Sequence, residues 1–368
     1  MVDGYAQAAF RIGPHGLSAA NPPLFLAEIG TFFNQDTSRA ARLIARIADA
    51  ARAVPEQPLA LKGEVLHDPA VCLDDATMET YQSRHGEQRR ERYRDLIDRK
   101  VLPLDQYARL FNLVRGTGLP LVLSVYDRAG ADFAATEGAS ALKIASANIT
   151  NIPLIRHVAG LGLPMLIDTG RSDLEEVARA VRTAQHAGAP GILVEHSPDG
   201  HPAPPANHNL RLLRTYAQAF ELPVGLSDHH TGEEMMHMAI ALGVHLIEKG
   251  ITDDPDALEQ DAAHALDLAA LPASLRRLHA CWTALGHGFR DKRVGITGTV
   301  ATSQRQGLVA ARDLLAGDRL DMDNVRFAWP ARGVGAEHWD LVAGWTVRTK
   351  VAAGTPVGWA DIHALAKT

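Results

Sequence analysis

Ser227, Asp228, His229 and His230 stand together between the apolar run 222–226 and an amphipathic stretch over 235–242. Leaving a buried polar group unpaired costs about 1 to 3 kcal/mol, so four of them closing a strand argue for binding or catalysis. Seven other short apolar runs finish in the same manner: on Glu28, on Lys62 with Glu64, on Asp127, on Lys143 with Ser146, on Asp168 with Thr169, on Glu195 with His196, and on Glu248 with Lys249. Lysines of this kind can hold an anionic ligand, a carboxylate can take or give a proton, and a neutral imidazole can bind a metal. Structural roles compete with these. Glu28 can pair with a lysine across the strand ends, and Glu64 or Asp168 can neutralise Lys62 or Lys143, because an unpaired buried ammonium is costly. A desolvated lysine can also form a Schiff base, and the spacing does not select between these roles.

The apolar runs lie at 24–29, 59–61, 119–125, 141–145, 165–167, 192–194, 224–226 and 245–247. Most are continuous rather than alternating, as in strands buried on both faces. Between them, 39–51, 104–115, 173–187, 209–219 and 235–242 repeat apolar residues three and four apart, the pattern of amphipathic helices. Repeated βα units with right-handed crossovers make a parallel sheet, and eight of them over roughly 250 residues predict a closed (β/α)8 TIM barrel with its active site at the carboxyl end of the strands. An open doubly wound sheet is the alternative, but it wants a Gly-rich turn after its first strand, where this chain has Thr31-Phe32-Phe33. The barrel is expected over 1–285, a linker over 286–295, and a small β-rich domain over 296–368, with short segments at 308–311, 325–328, 346–349 and 352–356. The connection 65–104 exceeds the usual βα loop and carries His67, Asp68, Tyr81, Arg84 and His85. It reads equally as a lid over the mouth and as a surface insertion or dimer contact.

With 368 residues, 46% of them hydrophobic, the chain has ample material for a core, and its net charge of −6 argues against nucleic-acid binding. The basic stretch 88–94 is interrupted by Glu91 and reads as a solvated face. Two cysteines, Cys72 and Cys281, make no disulfide framework, which points to a reducing cytoplasm. No leader pattern opens the chain and no apolar run reaches membrane length, so a soluble cytoplasmic protein is expected. His196, His201 and His208 flank the Pro-rich loop 198–205 and read as surface residues as readily as ligands. His237, His264, His279 and His287 lie away from the strand ends and receive no function.

Several motifs are familiar. Ala27-Glu28-Ile29-Gly30, Lys143-Ile144-Ala145-Ser146 with Thr150-Asn151-Ile152-Pro153-Leu154, Asp168-Thr169-Gly170, the segment 225–232 and Glu248-Lys249 resemble the sialic acid synthase family. The tail, with Gln304-Arg305-Gln306-Gly307-Leu308, Arg312-Asp313, Gly317-Asp318, Trp329-Pro330 and Asp361-Ile362, resembles the antifreeze-protein-like (SAF) domain that ends those synthases. The likeness covers nearly the whole chain in order.

That resemblance implies condensation of phosphoenolpyruvate with an N-acyl hexosamine to a nine-carbon 2-keto sugar acid, assisted by a divalent metal, Mn or Mg, as Lewis acid. On it, Glu28, Lys143 and Asp228 are catalytic. Lys62, Glu64, Ser146, Ser227, Asp261 and Arg332 bind substrates, and His229 is a metal ligand. It also implies a domain-swapped homodimer, the small domain of one subunit reaching the barrel mouth of the other. The chain departs from the pattern at several positions. Gly250 stands where the second metal histidine usually sits, and His230 would point away from the site if the strand continues. Val125, Asp168 and Asp199 replace hydroxyl or amide groups near the donor phosphate. Trp329 holds the place of an arginine, with Arg332 near enough to substitute. One reading rebuilds the metal site from His229 with Glu64, Asp168 or Glu195, carboxylates that suit Mg or Mn. The other exchanges the donor, giving a different carbon-carbon lyase or ligase, or a non-catalytic sugar-acid-binding protein.

Overall fold

The computed structural model describes residues 10–30, 32–288 and 304–364. Two compact units divide the chain, one through Gly286 and the other from His287. Thr31, most of the linker expected at 286–295 and the first residues of the domain expected from 296 lie outside the described residues.

The first unit contains eight parallel strands: β1 (Leu24–Gly30), β2 (Leu59–Val65), β3 (Leu121–Val125), β4 (Ala141–Ile144), β5 (Met165–Asp168), β6 (Ile192–His196), β7 (Val224–Asp228) and β8 (Leu246–Thr252). Each pairs with the next, and β8 also pairs with β1, so the sheet closes. This is the expected (β/α)8 barrel. The helices packed around it include α1 (Thr37–Ala53), α2 (Leu104–Thr117), α3 (Arg128–Thr136), α4 (Ile152–Ala159), α5 (Leu174–His186), α6 (Leu212–Phe220), α7 (Glu234–Ala241) and α8 (Leu271–Leu285). In α1, Ala40, Leu43, Ile44 and Ile47 form the buried stripe, and the Asp36 carboxylate accepts from the Arg39 amide to start the helix. A reciprocal capping box of Asp173 and Glu176 starts α5. β8 runs beyond the apolar run 245–247, which puts Glu248 and Lys249 inside a strand rather than after one.

Alternation sorts every strand into two faces. Outward residues such as Ala27, Leu61, Leu123, Ile144, Ile167, Val194, Leu226 and Ile247 pack in the main core shared with the helices. Inward residues Leu24, Leu26, Ala60, Val122, Ala141, Leu166, Leu193 and Leu246 pack with Phe10, Ile12 and Leu17. Ile12 belongs to, and Phe10 and Leu17 flank, the antiparallel pair Arg11–Ile12 and His15–Gly16, which plugs the amino end of the barrel. Gly191, just before β6, lets the plug in: a Cβ there would lie 2.7 Å from Cδ2 of Phe10.

In the second unit, Gly307–Ala310 pairs antiparallel with Val325–Ala328, and Thr346–Val347 with Ile362–His363. Its core gathers Leu308, Leu314, Leu320, Val334, Val347, Val357 and Ile362. The segment 352–356, expected to be β-like, is mainly a turn, and Ile362–His363 supplies the pairing instead. Among the described residues, no helix is long and apolar enough to cross a membrane.

Candidate active site

Two residues beyond the inner apolar layer, the same alternation turns Glu28, Lys62, Ser124, Lys143, Asp168, Glu195, Ser227 and Glu248 into one polar ring. Lys143 Nζ lies 2.9 Å from Asp168, 2.7 Å from Glu195 and 2.8 Å from Glu248. Lys62 donates to Glu28 and sits 3.3 Å from Glu248 and 3.6 Å from Glu64. Glu248 therefore joins both lysines, and it also accepts from the Ser227 hydroxyl at 3.1 Å. Burial opposes charge throughout the ring, and the neighbours decide each outcome. Two ammoniums overcome burial and hold Glu248 down at about 2. Burial, reinforced by Glu248, pushes Glu195 up to about 8. Burial also lifts Glu28 well above the usual carboxylate range against the pull of Lys62. For Lys143 the facing carboxylates overcome burial and hold the ammonium firmly charged.

The ring floors a cavity of about 750 Å³. Its roof is the 65–104 connection, which folds as an antiparallel pair, Met78–Gln82 with Gln88–Arg92, followed by a short helix, Tyr93–Asp98. Arg84 donates to the Ala265 carbonyl at 2.7 Å and Arg99 pairs with Glu259 at 3.0 Å, which ties the roof to the segment after β8. Leu66, Cys72 and Tyr93 line the cavity from this side. The basic stretch inside it is engaged in surface ion pairs, Arg92 with Asp74 and Arg94 with Asp98.

At the same mouth His201, His229 and His264 converge, with one ring nitrogen from each within 4.8 Å of the others. The rings of His201 and His229 are 4.2 Å apart and those of His229 and His264 are 4.8 Å apart. Nδ1 of His229 and Nδ1 of His264 are buried without a hydrogen-bond partner. Burial, with the neighbouring imidazoles, pushes His229 well below its usual range, while for His264 burial outweighs Asp261 and brings it to about 3. His229 and His264 thus offer the neutral, unpartnered nitrogens that a metal requires. His201, in which burial is outweighed by Asp261 and the pKa raised, can join them by giving up its proton, so the residues fit a divalent ion.

Most of the residues singled out in the sequence reach this place: Glu28, Lys62, Glu64, Lys143, Ser146, Ser227, His229 and Asp261 all line the cavity. Asp228 does not. Its carboxylate faces away from the barrel axis, 2.7 Å from Lys249 Nζ and 3.5 Å from His208, because it is one residue out of step with Ser227. His230 also points away, toward the Ala203 carbonyl. Arg332 belongs to the second unit, where its backbone lies against Gly307. Two of the residues counted as departures lie away from the ring. Val125 packs outward in the core, and Ser124 is the inward residue, its hydroxyl buried without a partner. Asp199 is exposed and paired with Arg171 at 3.1 Å. The carboxylates expected to join His229 are engaged elsewhere, Asp168 and Glu195 on Lys143, and the imidazoles of His201 and His264 take their place beside it. Sequence reasoning gave His264 no function and left His201 between surface and ligand, since neither loop carries a local signal of where it ends. Glu195 and Glu248 were readable as ring members, for they follow the inward Leu193 and Leu246 by two.

A closed parallel barrel with a lysine–carboxylate ring under a histidine trio, on a chain that adds a small β domain, defines a TIM-barrel protein with a built polar site at the carboxyl ends of its strands. The chain belongs to the NeuB family, whose profile matches residues 61–290, and residues 305–363 match the SAF domain. The N,N'-diacetyllegionaminic acid synthase of Legionella pneumophila is 28% identical over 291 residues, covering 77% of this chain and 80% of that protein. The spore coat polysaccharide biosynthesis protein SpsE of Bacillus subtilis is 26% identical over 374 residues, 96% of this chain and 97% of its own. The solved N-acetylneuraminic acid synthetase of Leptospira borgpetersenii shares the fold, with a TM-score of 0.68 at 22% identity over 80% of this chain and 95% of that one.

Proposed function

We propose that this protein is a nonulosonic acid synthase that condenses phosphoenolpyruvate with an N-acyl hexosamine in the barrel mouth. The observation that carries the reading is a single cavity in which Lys62, Lys143 and the unbonded Ser124 hydroxyl face Glu28 and the histidine trio. In this reading Lys62, Lys143 and Ser124 hold the carboxylate and phosphate of the donor. A divalent ion on the trio would polarise the aldehyde of the open-chain sugar. The vinyl carbon of the donor then bonds to the aldehyde carbon, whose oxygen takes up a proton to become the hydroxyl. Water adds to the electron-poor carbon left behind, and the carbon–oxygen bond to phosphate breaks, leaving the 2-keto acid. Glu28 orients that water and takes its proton, a task for which a buried, strengthened base is suited. Arg332 serves the acceptor from the SAF domain of a second subunit.

Phosphate release from phosphoenolpyruvate that depends on an N-acyl hexosamine and on metal tests the reading. Release with no acceptor requirement, or no binding of the donor by calorimetry, rejects it. A changed donor is the second reading, favoured by the carboxylates Glu28, Glu64, Asp168, Glu195 and Glu248 that crowd two lysines. Borohydride trapping of a lysine adduct with a keto acid supports that alternative.

A further inference from the structure

The metal ligands of this barrel are set by crowding as much as by sequence position. A Cβ on Gly250 would lie 3.0 Å from Cζ of Phe32 and 3.4 Å from the Cβ of Ala265. The Phe32 ring thus occupies the room that a ligand side chain on that β8 residue would need. His264, adjacent to Ala265, enters the mouth instead, and its ring lies 5.5 Å from that of His201. Asp261 Oδ1 is 2.9 Å from Nδ1 of His201. That contact fixes the ring and leaves Nε2 for an ion, the arrangement by which an outer carboxylate orients a ligating histidine. In the ring below, Asp168, Glu195 and Glu248 are engaged with Lys143, and Asp261 is engaged with His201.

We infer that His201, His229 and His264 form an all-imidazole site that takes a borderline transition ion such as zinc or cobalt(II) in preference to Mg or Mn. Imidazole nitrogen suits zinc, iron, nickel and copper, whereas Mg and Mn are held by carboxylate and carbonyl oxygen. Three protein nitrogens also leave a position for water or substrate, as catalytic zinc sites do. The task of the ion rests on the proposed synthase reading; the site itself does not.

The test uses the full-length protein, stripped of metal and titrated with cobalt(II) alone, read by its visible d–d absorption and by metal content after gel filtration. One equivalent with an intense visible band, displaced by zinc and not by an equal concentration of Mn, is expected. His264→Ala and His201→Ala each lose the band while thermal unfolding shows them folded, and His230→Ala, outside the cluster, keeps it. Asp261→Asn weakens cobalt binding by about 10–100-fold. Mn that competes equally with zinc, or a band that survives both His201→Ala and His264→Ala, overturns the inference. A protein that shows the band and lacks phosphate release would keep this site and refute the synthase reading. Release supported by Mn in the His264→Ala protein would do the reverse.

Discussion

Lys143 and Lys249 are both buried lysines in barrel strands, and each meets an acid within 2.7 Å. Lys143 faces the barrel axis and shares three carboxylates, while Lys249 faces the helices and meets one. The Lys249 ammonium is closed by Asp228 and the carbonyls of His230 and Gly232. Asp228 in turn accepts from the His230 amide at 3.1 Å, so every strong hydrogen-bonding demand in the pair is met inside the protein. The ring around Lys143 is not closed: Ser124 Oγ and Glu248 Oε2 stay unbonded. A satisfied buried pair holds two elements together, and an unsatisfied ring at the floor of a cavity is arranged for something that binds.

Breaking the outer pair gives the largest expected effect. Lys249→Met leaves Asp228 buried and uncompensated, at about 3–5 kcal/mol of stability measured by urea unfolding. The double change Asp228→Leu with Lys249→Met recovers most of that loss, since removing both charges together is often close to neutral. Lys143→Met, which leaves three buried carboxylates without their shared ammonium, should also act on chemistry, lowering turnover by about 10²–10³-fold, the loss seen when one charge-stabilising donor is removed. Phosphate-release kinetics checks it, with circular dichroism at pH 6 confirming the fold.

Glu195→Gln sharpens the contrast through pH. The folded carboxyl titrates at about 8 against an ordinary 4.5, so the native state binds this proton more tightly than the unfolded chain. Its contribution is therefore full below pH 4.5 and is lost as pH rises through about 8. The variant should show a flatter melting temperature across that window and exceed the wild type at pH 8.5. Asp173→Ala, which removes the α5 capping box far from either cluster, should cost about 1 kcal/mol and leave cobalt and donor affinity unchanged.

Much of this was readable along the chain. The barrel followed from apolar runs alternating with helical stripes, and the polar strand ends marked the catalytic face. Alternation could also have separated Asp228 from Ser227, but strand limits were needed first: β7 extends to Asp228, past the apolar run 224–226 that announced it. Val125 misled for the same reason, since a shift of one residue exchanges the cavity for the core.

The sequence by itself determined which residues form strands, which face each presents once its ends are known, and that lysines and carboxylates meet at one rim. These are consequences of period-two and period-3.6 patterning among near neighbours. Barrel closure alone decided that the loops after β6 and β8 bring His201 and His264 to His229, and that Phe32 fills the space beside Gly250. Such contacts join residues far apart in the chain, and their geometry is set by how the whole sheet closes, which no local pattern encodes.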